Sequence, residues 1–325
     1  MIISKTPYRI SFFGGGTDFP DYYNKYGGSV IGSTINKYCF ITVKKFTPFF
    51  KKKYRIVWSK IQLTNELIKI KHPCVKGLLK YFGIKDGIEI QHTGDLPAFS
   101  GIGSSSSFSV GLINALLTLK NQKLSNNALG NLAVHLEQKI LKEYVGSQDQ
   151  MWAAKGGMNI INFNKNKIEV KKINISKINK NKLSDNLILF FTEKARFSGK
   201  IEKEKISRIN KNLSTLERMK DYVLVCKNIL QNNSSFDDFG ELLNDYWNLK
   251  KKLSKQISNH QIDNIYDEGL ISGAKGGKIL GAGGGGFILF YANKEVQKKL
   301  IKKFYKLTPV NFNFSNKGSI LIYND

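Results

Sequence analysis

Three glycine-rich elements, far apart in the chain, bring together residue types suited to phosphate. The second says most. It reads Leu96-Pro97-Ala98-Phe99-Ser100-Gly101-Ile102-Gly103-Ser104-Ser105-Ser106-Ser107 and runs straight into an apolar helical pattern of Phe108, Leu112, Ile113, Leu116 and Leu117. Glycines let a backbone turn tightly and approach a ligand closely. The helix behind them offers unpaired N–H groups and the positive end of its dipole, which together make an anion site, most often for phosphate. The serine hydroxyls add donors and an oxygen for Mg2+. The first element, Pro7-Tyr8-Arg9-Ile10-Ser11-Phe12-Phe13-Gly14-Gly15-Gly16-Thr17-Asp18, joins an arginine to a carboxylate across a glycine turn. The third spans residues 273–286 and ends in four glycines before an apolar run. Such a run costs chain entropy and suggests a backbone that must pass close to something. Neither the P-loop spacing GxxxxGK[ST] nor a GxGxxG loop followed by VAIK occurs.

Regular elements must hold these loops in place. Residues 8–13, 39–43, 54–58 and 87–92 are rich in aromatic and β-branched residues or alternate, as strands do. A helix is predicted through the serine loop. A second starts at Ser125-Asn126-Asn127, with Leu129, Leu132, Leu136 and Ile140 at helical spacing. Residues 158–163 and 187–191 read as strands, and the polar lysine- and asparagine-rich stretch between them is the predicted boundary of two domains, 1–185 and 186–325. Residues 201–257 follow a helical pattern. In it Phe239, Leu242, Leu243, Tyr246, Leu249 and Leu253 form an apolar stripe that predicts core packing and nothing more. A strand over 287–291, a helix over 295–304 and two terminal strand-like runs complete an α+β pattern.

Composition narrows the classes. The chain has 325 residues, 41% of them apolar, enough for a sizeable core in two domains. Its 51 Lys and Arg against 25 Asp and Glu give a net charge of +26. These cations are scattered, as a compositional bias would scatter them, so no nucleic-acid partner is expected. Cys39, Cys74 and Cys226 are odd in number and far apart, which predicts reduced thiols in a cytoplasmic protein. No signal-peptide core and no membrane span is expected. His72, His92, His135 and His260 lack metal-ligand spacing.

In order and spacing, the three elements resemble the motifs of the GHMP kinase family: PxRIxxxGxxTD at residues 7–18, PxxxGLGSSAA from Pro97, and a late glycine-rich box. Within the family the pattern is similar to the heptose 7-phosphate kinases. That closer likeness is carried by residues 9–18, Lys71-His72-Pro73, residues 101–108, Gly146-Ser147-Gln148-Asp149-Gln150 and residues 276–286. The resemblance implies a two-domain α+β fold, ribosomal-protein-S5-like at the N-terminus and ferredoxin-like at the C-terminus. It implies ATP- and Mg2+-dependent phosphorylation of the anomeric hydroxyl of D-glycero-D-manno-heptose 7-phosphate to the 1,7-bisphosphate, feeding a nucleotide-activated heptose. Pro97, Ser100, Gly101, Gly103, Ser104, Ser105 and Ser106 would cradle ATP. Ser105 and Glu137 would hold Mg2+. Asp149 would be the catalytic base, and Arg9 would neutralise charge beside it. Gly15, Gly16, Thr17 and Asp18, with Gly283 and Gly284, would meet the sugar. Arg196, Ser198 and Lys200 would bind the substrate's phosphate. The partners implied are ATP and a sugar phosphate, with a homodimer left open. Another sugar 1-kinase, of fucokinase or galactokinase type, is the alternative. A catalytically silent regulator would require the loss of Asp149, Glu137 or Arg9, and all three are present.

Overall fold

The computed structural model describes residues 1–47, 49–192, 199–231 and 236–325. The first half supplies strands β1 (Ile2–Phe13), β2 (Gly28–Lys45), β3 (Tyr54–Val57), β4 (Ile61–Thr64), β5 (Ile88–Gly94), β6 (Met158–Asn164) and β7 (Lys167–Lys172). Its helices are α1 (Pro20–Tyr26), α2 (Pro73–Tyr81), α3 (Ser104–Leu119), α4 (Asn126–His135), α5 (Gln148–Lys155) and α6 (Lys177–Asp185). The second half supplies β8 (Leu187–Phe191), β9 (Gly276–Ile279), β10 (Phe287–Tyr291), β11 (Thr308–Val310) and β12 (Ile320–Asn324). Its helices are α7 (Gly199–Ser207), α8 (Leu213–Gln231), α9 (Asp237–Lys252), α10 (His260–Ile271) and α11 (Lys294–Lys303).

Two sheets result. The larger runs β12-β1-β2-β5-β3-β4, with β6 and β7 continuing from the other part of the long strand β2. All its pairs are antiparallel except β3 with β5. The smaller sheet is antiparallel, in the order β11-β8-β10-β9. Helix α3 lies across β1 and β2 and beside α5, while α9 packs on β9 and β10.

One contiguous apolar core joins the halves. The end of β1 meets α9 edge-on: Phe12 and Phe13 stand 5.3 and 5.5 Å from the Phe239 ring, and Phe13 stands 5.1 Å from Tyr246. Such aromatic pairs contribute roughly 0.5–1.5 kcal/mol each beyond their buried area. They fix the glycine turn after β1 against the second half.

The structure adds detail to several expectations. The helical pattern over 201–257 is divided into α7, a short 3-10 turn (Asn210–Asn212), α8 and α9. The polar stretch before residue 187 holds β7 and α6: Ser176 caps α6 by accepting from Asn179 N–H at 3.1 Å. The two terminal runs part company, since β11 joins the small sheet while β12 returns to the edge of the large one beside β1. The predicted second helix begins at its Ser125 cap, which accepts from Ala128 N–H at 3.3 Å, but widens into a π-type turn over Leu136–Ile140. No helix among the described residues is long and apolar enough to cross a membrane.

Candidate active site

The serine loop enters α3 through Gly103, and no side chain caps the helix. Among the described residues the first amides of α3 therefore have no side-chain cap, and Gly103, Ser104, Ser105 and Ser106 line a cavity shared by both halves. The glycines of the third element have a local partner. At Gly101 the backbone is left-handed (φ 84°), and a Cβ there would lie 2.5 Å from the Leu280 carbonyl oxygen. A Cβ on Gly281 would lie 2.5 Å from Gly101 Cα. Phe287 N–H donates to the Ser100 carbonyl at 3.0 Å. Within the four-glycine run, a Cβ on Gly286 would lie 2.4 Å from the Ser100 carbonyl oxygen, so the run ends against the second loop, while one on Gly283 would meet the Ile257 backbone. Gly283 also lines the cavity, whereas Gly284 is tied to Ile257 through its N–H at 2.8 Å.

Arg9 and Asp149 face each other across the base of this loop. Arg9 Nε donates to Asp149 Oδ1 at 2.7 Å and Nη2 to Oδ2 at 2.6 Å, a two-pronged pair. Arg9 Nη1 donates to the Gly101 carbonyl at 2.6 Å, so the guanidinium ties β1, α5 and the serine loop together. Arg9 is buried, while the Asp149 side chain keeps 23% of its surface open.

Asp18 closes the glycine turn after β1. Its Oδ1 accepts from Gly16 N–H at 3.0 Å and its Oδ2 from Gln148 Nε2 at 2.9 Å. Burial pushes its carboxyl up to about 6, against the Gly16 hydrogen bond; the charges of Asp149 and Glu202 push the same way. Gly15, Gly16 and Asp18 line the cavity. Thr17 does not. It is fully buried, and its hydroxyl donates within the turn to the Gly14 carbonyl at 2.8 Å and to that of Ser29 at 2.9 Å. Pro97 and Ser100 are likewise off the cavity: the buried Ser100 hydroxyl donates to the Pro97 carbonyl at 2.6 Å and shapes the loop.

Glu137 sits in the π-type turn, fully buried. Of the loop serines it is Ser106 that donates to Oε2, at 3.0 Å, and not Ser105; the Ser109 hydroxyl, one turn further along α3, also stabilises the carboxylate. Adjacent helical residues point about 100° apart, so only one of the two loop serines faces the carboxylate. Gln150 Nε2 also donates to Oε2, but Oε1 has no hydrogen-bond partner. Burial, with the Glu143 charge, pushes the carboxyl up to about 7, against the hydrogen bonds it accepts. A buried carboxylate bonded to Ser106, a residue that lines the cavity, supplies the kind of oxygen donors that suit a hard cation.

The second half brings residues that the sequence does not single out. Lys205 of α7, Lys250 of α9 and Lys278 of β9 line the cavity, as do Glu202 and Tyr246. Tyr246, expected only as core, also donates from its hydroxyl to the Gly15 carbonyl at 3.4 Å. The three lysines are hidden in the sequence because lysine is abundant everywhere. Glu202 is equally silent, being one acid in a charged helix. Arg196 and Ser198 lie outside the described residues, and of Lys200 only the backbone, in the first turn of α7, is described.

Known proteins match this architecture. The family model for the GHMP kinases N terminal domain matches residues 67–157, and that for GHMP kinases C terminal matches residues 226–307. The chain is 31% identical to D-glycero-alpha-D-manno-heptose 7-phosphate kinase of Campylobacter jejuni, over 98% of this chain and 97% of that protein. It is 28% identical to mevalonate kinase of Methanocaldococcus jannaschii, over 71% of each. The crystal structure of a D-glycero-D-manno-heptose 1-phosphate kinase from Bacteroides thetaiotaomicron superposes with a TM-score of 0.81 over all of both chains at 22% identity. The chain belongs to the GHMP kinases and has their two-domain fold.

Proposed function

From this membership, we propose that the protein transfers the terminal phosphoryl group of ATP to the anomeric hydroxyl of D-glycero-D-manno-heptose 7-phosphate, yielding the 1,7-bisphosphate. The single observation that carries the reading is the Arg9–Asp149 pair, set between the uncapped start of α3 and the sugar-side residues Asp18, Gly15 and Gly16. Phosphoryl transfer asks mainly for positioning and charge neutralisation. The open edge of Asp149 holds the attacking hydroxyl in line and accepts its proton, each carboxylate oxygen having a lone pair beyond its bond to Arg9. The Arg9 charge faces the transferred group. The amides and hydroxyls at Gly103, Ser104 and Ser105 seat the nucleotide phosphates, with Gly101 shaping the turn.

Glu137 and Ser106 would hold Mg2+, with Ser105 left to the nucleotide. When bound, Mg2+ would supply positive charge that neutralises the phosphates. Asp18 accepts from sugar hydroxyls with its remaining lone pairs, and Gly283 closes the opposite side. The name of the 31% identical Campylobacter protein supports a heptose phosphate as the acceptor. ATP as the donor fits a cytoplasmic reaction, and the product would feed a nucleotide-activated heptose. The test is a kinase screen that follows ADP release with heptose 7-phosphate, heptose, mannose 6-phosphate, galactose and fucose. Heptose 7-phosphate should give the highest kcat/KM. Faster turnover of galactose or fucose would overturn the reading.

A further inference from the structure

The second-half wall of the cavity carries three ammonium groups that the reaction so far leaves without a task. Lys250, 5% exposed, donates to the carbonyls of Ile279 at 2.8 Å and Gly281 at 2.7 Å. Lys278, 3% exposed, donates to those of Ser11 at 3.0 Å and Phe12 at 2.6 Å, and lies 4.5 Å from the Tyr246 ring centre. Among the described residues neither has a carboxylate partner. An ammonium has three donors, so each keeps one beyond its two carbonyls. Lys205 is held on the same wall by Glu202 at 2.5 Å. Buried cations without a counter-charge are costly, and Lys250 and Lys278, lining one cavity with the Glu202-paired Lys205, point to an anion inside it.

We propose that Lys205 and Lys250, backed by Lys278, bind the phosphate that the sugar substrate already carries, so that this wall selects a sugar phosphomonoester over the free sugar. The assignment rests on the reading of the acceptor as a sugar phosphate. Two observations favour the sugar's phosphate over those of ATP. The start of α3, which has no side-chain cap, and its serines line the same cavity and are assigned above to the nucleotide phosphates. Lys205 lies beside the sugar-side turn, 5.5 Å from the Phe19 ring centre and within electrostatic reach of Asp18. Burial and the neighbouring Lys205 bring Lys250 down to about 7, and a bound phosphate dianion would supply the missing counter-charge.

The experiment is calorimetry on the full chain, without ATP, using heptose 7-phosphate against heptose and mannose 6-phosphate against mannose, with ADP as control. Wild type should bind the phosphorylated member of each pair at least about tenfold more tightly, the ordinary worth of a charge-assisted contact. Lys205→Met and Lys250→Met should each cut that ratio about tenfold and leave ADP affinity within twofold. Lys205→Arg, which keeps the charge, should retain the ratio. If Lys250→Met fails to melt cooperatively, the two Lys205 variants carry the test. Absence of a phosphate preference in wild type, an unchanged ratio in the Met variants, or a matching loss of ADP affinity would overturn the proposal. The heptose reading fails separately, when the preference is present but no phosphate appears on C1 after ATP is added.

Discussion

The two walls of the cavity are suited to anions by different means. The first-half wall is built of backbone: an uncapped helix start, glycines packed backbone against backbone, and short hydroxyls on consecutive residues. Its dipoles are fixed by the fold and need no counter-ion, because the groups are neutral. The second-half wall is built of long cationic side chains, drawn from α7, α9 and β9 and steadied by carbonyls. The first suits a phosphate chain that must be held in register for transfer. The second suits a phosphate that only needs to be present. Arg9 stands where the two meet, with one donor on the serine loop and two on Asp149.

The largest effect should come from that junction. Asp149→Asn removes the group that meets the hydroxyl and weakens its hold on Arg9, so kcat should fall about 10²–10⁴-fold. Calorimetry with ADP should show binding intact, since the first-half wall is untouched. A variant that loses ADP affinity along with kcat would merge the two walls into one coupled unit.

A second prediction separates the sugar-side turn from both walls. Asp18 titrates near 6 in the folded protein against an ordinary 3.8. Protonation therefore favours the folded state. That stabilisation is fully present below about pH 4 and is lost as the pH rises through about 6. A shift of about two units corresponds to roughly 3 kcal/mol. Wild type should lose about that much relative to Asp18→Asn between about pH 4 and pH 8, read from urea unfolding at each pH. Parallel curves would show that Asp18 is not strained by its burial.

The cation site gives a third and smaller effect. Ser106→Ala and Glu137→Gln should raise the Mg2+ needed for half-maximal rate about 10-fold, in keeping with the loss of an oxygen ligand of a hard cation. Ser105→Ala, on the neighbouring face of α3, should move it less than twofold. A reversed ranking of the two serines would return the metal to Ser105.

The contrast between the walls also explains which residues stand out in the sequence and which do not. Backbone phosphate seats need glycine and serine at fixed local spacing, so residues 97–107 and the arginine–carboxylate element at 7–18 are conspicuous. The strands over 158–163, 187–191 and 287–291 are equally legible from their apolar runs. Which serine faces Glu137 is not, because a π-type turn shifts the helical phase by a residue that periodicity does not encode. Thr17 reads as a sugar contact because it stands beside Asp18 in the motif, whereas its hydroxyl turns inward to Gly14 and Ser29. Lys205 and Lys250 are invisible among 51 lysines and arginines, since only burial singles them out, and Lys278 is not distinguished within its glycine-rich element until burial marks it. The return of β12 to the large sheet is a long-range pairing with no local signal.

The most direct measurement is phosphorus NMR of the purified protein with ATP, Mg2+ and D-glycero-D-manno-heptose 7-phosphate. One new sugar phosphate signal coupled to the anomeric proton should appear for each ADP formed, and Asp149→Asn should abolish it on the same timescale. ADP formation with inorganic phosphate as the only other product, or a new phosphate on any carbon other than C1, would contradict the proposed reaction.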